Sequence, residues 1–125
     1  MTKKSGHLPK SAKIIFSCSG ASDTGEIGDR AARRLRLWDV GKMSCLSGIA
    51  GLTENILQTA QAASKILMID GCNCDCGRKT LERAGLDKFA HLRVTDLGME
   101  KGRSPLTPEN IEKVVHAGKA RLSEH

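Results

Sequence analysis

Apolar and polar positions along the chain follow two periods, one typical of strands and one typical of helices. Three short apolar segments, Lys13–Cys18, Lys42–Leu46 and Lys65–Asp70, have the length of strands. A fourth segment, His91–Leu97, alternates apolar and polar residues and predicts a strand with one exposed face. The first and third segments are apolar almost throughout, so we expect both faces of these two strands to be covered.

Four helices are predicted between and after these strands. The first is expected to begin at Asp23, whose carboxylate would cap it, and its apolar residues recur every three or four positions. The second follows a loop at Ser47–Gly51 and is capped by Thr53. The third spans Cys76–Ala84. The last begins at Thr107-Pro108-Glu109, where a cap, a proline and an acid stand in the order that favours a helix start.

The alternation of strands and helices predicts an α/β fold, a Rossmann-like three-layer sandwich with helices on both faces of a four-stranded, mostly parallel sheet. The two apolar strands belong in the centre and the other two at the edges, which gives the strand order 2-1-3-4. Ligands bind such sheets beyond the carboxyl ends of the strands, where the order reverses. Residues 1–12 predict a flexible N-terminal tail, and residues 13–125 a single domain.

The charge of the chain does not change this interpretation. The formal net charge is +6, but only 2% of the residues are aromatic and no nucleic-acid-binding motif is present, so we do not expect a nucleic-acid partner. No segment reaches the roughly 18 apolar residues of a membrane span, and the first residues lack the apolar region of a signal peptide. We therefore expect a cytoplasmic protein with no membrane partner. No motif indicates a particular small-molecule or protein partner.

Five cysteines provide the candidate chemistry. Cys18, Cys45 and Cys72 each follow one of the first three strands, so the carboxyl ends of adjacent parallel strands are expected to bring them to one edge of the sheet. In a reducing compartment such a cluster indicates metal binding or redox chemistry. Thiolates in a tetrahedron suit Zn²⁺. Cys76 begins a helix, where the dipole favours a thiolate, and is the better fourth ligand, which leaves Cys74 as an extra thiol.

Five motifs stand in a recognisable order. They are Cys18–Ser22, Gly41–Ile49, Ile69–Cys72 with Cys76, Lys79–Gly85 and Val94–Gly98. Together they resemble the DGC domain family, named for its Asp-Gly-Cys tripeptide, and the resemblance covers nearly all of residues 13–115. Zinc binding is ascribed to this family, so the resemblance implies Zn²⁺ as the cofactor and four metal ligands, which fall on Cys18, Cys45, Cys72 and Cys76.

The chain departs from the family pattern in one segment. The residues between Cys72 and Cys76 are Asn73-Cys74-Asp75, where the family commonly has a proline after the first cysteine and no inner cysteine. The choice between Cys74 and Cys76 as fourth ligand therefore stays open.

Other residues near the predicted site are candidates for supporting roles. Asp70 and Gly71 precede Cys72 and are expected to lie around the metal ligands. The favoured role of Asp70 is to accept N–H groups of the loop, and a role as a base is the alternative. The loop after the first strand opens a helix, and its residues Ser19, Gly20 and Ser22 are candidates for binding an anion through backbone N–H groups. The histidines are expected to lie away from the site; His91, at the start of the fourth strand, should lie at the opposite edge.

The leading interpretation is a small zinc-binding protein with a role in metal handling or zinc-tuned thiol chemistry. One alternative is a thiol-redox or sulfur-carrier enzyme that uses Cys76, Cys72 and Cys74. Another is an iron–sulfur protein, because four thiolates also suit a cluster. The sequence identifies no catalytic residue, so whether the protein is an enzyme stays open.

Overall fold

Four parallel strands form the centre of the molecule. The structure, a computed structural model, describes residues 12–124, so the expected N-terminal tail lies outside the described residues except for Ala12. The strands are β1 (Lys13–Ser17), β2 (Lys42–Met43), β3 (Lys65–Asp70) and β4 (Ala90–Arg93), in the order β2-β1-β3-β4. Every neighbouring pair is parallel, which confirms the predicted strand order and fold class.

Helices cover both faces of this sheet. They are α1 (Asp23–Leu37), α2 (Leu46–Ala50), α3 (Glu54–Gln61), α4 (Cys76–Arg83) and α5 (Pro108–Ser123). On one face Ile15, Leu67 and Ile69 pack among the apolar residues of α1 and α5. On the other face Phe16 and Met68 pack with residues of α2, α3 and α4. Successive side chains of β1 and β3 therefore belong to two separate cores, one on each face of the sheet, as expected for strands that are apolar throughout.

Three element boundaries differ from the predictions. Most of the expected loop Ser47–Gly51 belongs to the short helix α2, which packs the fully buried Ile49 against the sheet. The second strand ends at Met43, whereas the prediction extended it to Leu46. The fourth strand ends at Arg93 and continues as a 3₁₀ helix, Val94–Leu97, because β3 ends at its partner Asp70 and offers no further residue to pair with.

The start of α1 also differs from the prediction. Ser22 caps this helix, and its hydroxyl accepts the N–H of Gly25 at 3.1 Å. Asp23 is the first helical residue instead, and its carboxylate accepts the backbone N–H groups of Gly102 at 2.9 Å and Ser104 at 3.0 Å. These bonds lower the pKa of Asp23. Its carboxylate therefore ties the loop before α5 to the beginning of α1.

The start of α5 agrees with the prediction. The Thr107 hydroxyl accepts the N–H of Asn110 at 3.1 Å, and Pro108 occupies the first turn. Between residues 12 and 124 the structure contains no helix with the length and apolarity that a membrane span requires.

Candidate metal and thiol site

The five cysteines lie at the edge formed by the carboxyl ends of the strands. Cys18 directly follows β1, whereas Cys45 and Cys72 each lie two residues beyond β2 and β3. Cys76 is the first residue of α4, and Cys74 lies in the loop before it. All five are free thiols; Cys18 and Cys72 are partly buried and the other three are exposed. The prediction that cysteines distant in sequence end adjacent strands is thus confirmed.

The sulfur of Cys18 is approached by N–H groups from its own loop and from the loop after β3. Burial raises the pKa of the Cys18 thiol above its ordinary value of 9.0, and the backbone N–H groups of Gly71 and Gly20 oppose that shift. The nearby charges of Asp70 and Cys72 raise the pKa further. Because burial prevails, Cys18 stays a neutral thiol unless a cation compensates its charge.

Cys72 is one of two thiols, with Cys45, whose surroundings favour the charged form. The N–H of Cys74 lowers the pKa of Cys72 most, and the Cys74 side chain and the ammonium of Lys101 add to the effect. The Lys101 Nζ lies 3.7 Å from the Cys72 Sγ. The pKa of Cys74 is raised in turn, chiefly by its hydrogen bond to Cys72. Within this pair the thiolate is therefore favoured at Cys72 over Cys74.

Cys45 has separate partners. The hydroxyl of Ser47 lies 3.0 Å from its sulfur and lowers its pKa most, and the N–H of Gly48 adds to this. The structure thus links Cys18 electrostatically to Cys72, and Cys74 to both Cys72 and Cys76, but not Cys45 to another thiol.

The sulfurs are not arranged as a tetrahedron. In a zinc–thiolate site they would lie roughly 3.8 Å apart, given Zn–S bonds near 2.3 Å. Within the described part of the chain, the group of three ligand-type side chains whose atoms lie within 4.8 Å of one another is Asp70, Asp75 and His91, without a cysteine. Binding of an ion by the thiols therefore requires the loops after the strands to close.

Asp70 connects the end of β3 to the start of α4. Its Oδ1 accepts the N–H of Gly77 at 2.7 Å, and its Oδ2 accepts the N–H of Arg78 at 3.1 Å. The expected hydrogen-bonding role of Asp70 is therefore present, although the N–H groups belong to the helix that Cys76 begins. Only 1% of Asp70 is exposed. A buried carboxylate with these donors keeps the first turn of α4 next to the strand end.

The prediction that His91 lies at the opposite edge is wrong. Its Nε2 is 2.7 Å from the Asp70 Oδ2. The reason is the register of β4, in which Ala90 pairs with Leu67 and His91 with Met68. The short strand β4 thus lies beside the second half of β3, and its first residues are already near the carboxyl edge.

Sequence reasoning also missed the surroundings of Asp75. This residue has a left-handed backbone with φ of 55°, which an aspartate tolerates better than most residues. The Nε and Nη2 of Arg93 donate hydrogen bonds to its two carboxylate oxygens, at 2.7 and 2.6 Å. The one sequence signal for these contacts was the alternation along β4, which places the polar residues His91 and Arg93 on the same face of the strand.

A sequence profile of the DGC domain matches residues 14–117. The chain belongs to the DGC domain family. This DGC domain is also similar to the anaerobic and virulence modulator AnvM of Pseudomonas aeruginosa, with 28% identity over 88 residues, or 70% of this chain and 67% of AnvM. No solved structure matches the chain.

The glycine of the Asp-Gly-Cys tripeptide allows two loops of the DGC domain to touch. A Cβ at Gly71 would lie 2.6 Å from the backbone nitrogen of Gly25, in the first turn of α1. Gly25 is equally confined, since a Cβ there would lie 2.7 Å from the carbonyl oxygen of Gly20. These contacts join the loops of Cys18 and Cys72 and give Gly71 a steric role there, whereas its place around a metal ion stays a prediction.

We expect Gly71→Ala to lower the free energy of unfolding by about 2–4 kcal/mol, because the clash is with backbone that cannot rotate away. Urea unfolding followed by circular dichroism measures the change. Gly51→Ala is the matched control, since Gly51 has φ of −83° and its nearest neighbour would lie 3.3 Å from the new Cβ. Equal stability losses for the two variants would contradict the steric argument.

The loop predicted to bind an anion already uses several of its polar groups. The Ser22 hydroxyl accepts from Gly25, and the N–H of Gly20 points to the Cys18 sulfur. Ser19 has a left-handed backbone with φ of 57°. Anion binding by this loop stays a prediction.

The ion pair of Asp75 predicts a defined pH dependence of the DGC domain's stability. Arg93 lowers the pKa of Asp75 from its ordinary value of 3.8 to about 2. Because the folded-state pKa is the lower one, the stabilisation is fully present above pH 3.8 and is lost as the pH falls toward 2. We expect Asp75→Asn to be less stable than the wild type at neutral pH, and the difference to shrink in acid.

Urea unfolding at about pH 6 and about pH 3 measures this dependence, because these values lie on either side of the usual pKa of a carboxyl group. Asp39→Asn is the matched control, because Asp39 also has a left-handed backbone, with φ of 60°, and its ion pair with Lys42 is exposed. Its stability difference from wild type should stay small at both values. If the stability difference between Asp75→Asn and wild type did not change with pH, the lowered pKa of Asp75 would not be its cause.

Proposed function

We propose that this DGC domain binds one Zn²⁺ through the thiolates of Cys18, Cys45, Cys72 and Cys76, with Cys74 as an additional thiol beside the ion. The observation that carries the proposal is that the sulfurs of Cys18, Cys45 and Cys72, at the ends of three adjacent strands, are each approached by backbone N–H groups. Such groups stabilise sulfur in its charged form, which is the form that binds metal.

The chemistry of the donor set favours zinc over a hard cation. Thiolates are soft ligands that select zinc, copper(I) or iron–sulfur clusters, whereas Mg²⁺ and Ca²⁺ need oxygen ligands. The ion would also supply the positive charge that the partly buried Cys18 lacks. Four thiolates would close the coordination shell, so we propose a role in metal handling or in zinc-tuned thiol chemistry and not in hydrolysis, which needs an open position.

Metal quantification of the wild-type protein tests this proposal. After anaerobic purification we expect about one Zn²⁺ per chain by elemental analysis. A coloured protein that contains iron and acid-labile sulfide would favour the iron–sulfur alternative instead. A protein that is purified without metal and takes up none from a zinc solution would contradict both.

The pair of Cys72 and Cys74 favours thiol-redox or sulfur-carrier chemistry as a second candidate function. Cys72 has a lowered pKa, Lys101 lies 3.7 Å from its sulfur, and Cys74, whose side chain hydrogen-bonds to Cys72, would resolve an adduct. This function predicts rapid alkylation of Cys72 in protein that carries no metal as purified. Slow, uniform alkylation of all five cysteines would count against it.

A further inference from the structure

Two side chains of β4 reach the segment that carries Cys72, Cys74 and Cys76. His91 contacts Asp70 at 2.7 Å, and Arg93 contacts Asp75 with two nitrogens. Asp70 stands two residues before Cys72, and Asp75 stands between Cys74 and Cys76. The two aspartates thus bracket the thiol loop, and β4 holds both of them.

Burial gives these contacts their strength. Asp70 is 1% exposed and Asp75 is 3% exposed. A buried carboxylate is costly unless it is paired, and removing one partner of a buried pair costs far more than removing an exposed one. Two parallel bonds from an arginine also fix the orientation of a carboxylate. The loop is therefore constrained at both ends, and the N–H of Asp75 closes it on the carbonyl of Cys72 at 3.3 Å.

This cluster is not itself suited to a cation. Both oxygens of Asp70 accept N–H groups from α4, and both oxygens of Asp75 accept from Arg93. A metal ion would have to displace an arginine that is always charged. The remaining role for the cluster is to place the loop.

We infer that His91 and Arg93 are positioning residues of the thiol site, which act through Asp70 and Asp75 to hold the loop of Cys72, Cys74 and Cys76 in one conformation. As far as the inference concerns metal affinity it rests on the proposed function. The constraint on the loop itself exists in the metal-free protein, so it can be measured separately.

Hydrogen exchange of the metal-free protein tests the constraint. In Arg93→Gln we expect the amides of residues 71–78 to exchange at least about tenfold faster than in wild type, because the bonds that protect them open locally. His91→Leu is expected to act in the same direction. Arg93→Lys, which keeps the charge without the second bond, should lie between wild type and Arg93→Gln. His91→Gln keeps an amide donor for Asp70 and should restore protection.

Arg33→Gln is the matched control. Arg33 makes a similar contact with Asp29, at 2.8 Å, but on the exposed face of α1. It should leave exchange in residues 71–78 at the wild-type rate. If Arg93→Gln does not fold, Arg93→Gln/Asp75→Asn removes both charges, and the loop should still exchange faster because the tether is gone. Wild-type exchange rates in His91→Leu and in the folded Arg93 variant would overturn the inference.

Zinc affinity separates this inference from the proposed function. If the metal site is as proposed, chelator competition should show about 10–100-fold weaker zinc binding by Arg93→Gln, as for other groups that orient metal ligands. A wild-type protein that binds no zinc, with faster loop exchange in the variant, would end the proposed function and support the positioning role. Wild-type zinc affinity in a variant whose loop exchanges faster would overturn the part of the inference that concerns the metal.

Discussion

The double variant Cys18→Ser/Cys72→Ser is expected to retain less than about a tenth of the zinc bound by wild type, because a thiolate-rich site loses most of its affinity with two of its ligands. These two cysteines follow the central strands β1 and β3, and the structure links them electrostatically. Serine is similar in size to cysteine, so the fold should survive. Elemental analysis and the thermal unfolding of the metal-free variant measure the two effects separately.

Single variants identify the fourth ligand. We expect Cys76→Ser to lose zinc and Cys74→Ser to keep it, because Cys76 is the predicted ligand and Cys74 the additional thiol. The reverse pattern would exchange their roles and leave the site itself in place. A double variant of Cys18 and Cys72 that still binds one Zn²⁺ per chain would contradict the site altogether.

The strand order and the meeting of the cysteines at one edge could be predicted because they depend on few properties. Continuous apolar segments such as Lys65–Asp70 identify central strands, and parallel connections place the residues that follow them at a common edge. Neither step requires side-chain geometry. The sequence therefore predicted that these cysteines would share one edge, but not that His91 would lie there, nor which side chains would touch.

The contacts around the aspartates could not be predicted, because they depend on register and on loops distant in sequence. Periodicity places His91 on one face of a strand but does not determine how far that strand is shifted along its neighbour. Asp23 shows the same limit, since the cap of α1 is Ser22 and the carboxylate of Asp23 accepts the N–H groups of Gly102 and Ser104. These partners are about 80 residues away in the sequence, where no local pattern marks them.

The position of Lys101 follows from the same tertiary contact. Asp23 ties the loop of residues 100–104 to the start of α1, and this brings Lys101 to the Cys72 sulfur. No motif marks this lysine, and it lies 29 residues from the cysteine. The electrostatics of the thiol site are therefore set partly by a segment that the cysteine pattern does not include.

Replacing Asp70 by alanine is expected to lower the free energy of unfolding by about 3–5 kcal/mol, a large part of the 5–15 kcal/mol typical of a domain. Asp70 is buried, and its carboxylate accepts the N–H groups of Gly77 and Arg78 and contacts His91. Alanine leaves these donors without an acceptor, at a cost of about 1–3 kcal/mol for each group that stays buried. Urea unfolding of the metal-free protein measures the loss without a contribution from bound metal.

Asparagine at the same position separates shape from charge. Asp70→Asn keeps one acceptor oxygen but places an amide donor among other donors, so we expect a loss smaller than that of alanine but still above about 1 kcal/mol. Asp96→Ala is the control, because Asp96 is an exposed carboxylate near the same edge whose contact with Arg93 is long, at 3.8 Å. Its effect should stay within about 0.5 kcal/mol. If Asp70→Ala cost no more than Asp96→Ala, the buried carboxylate would not be what holds α4 against the end of β3.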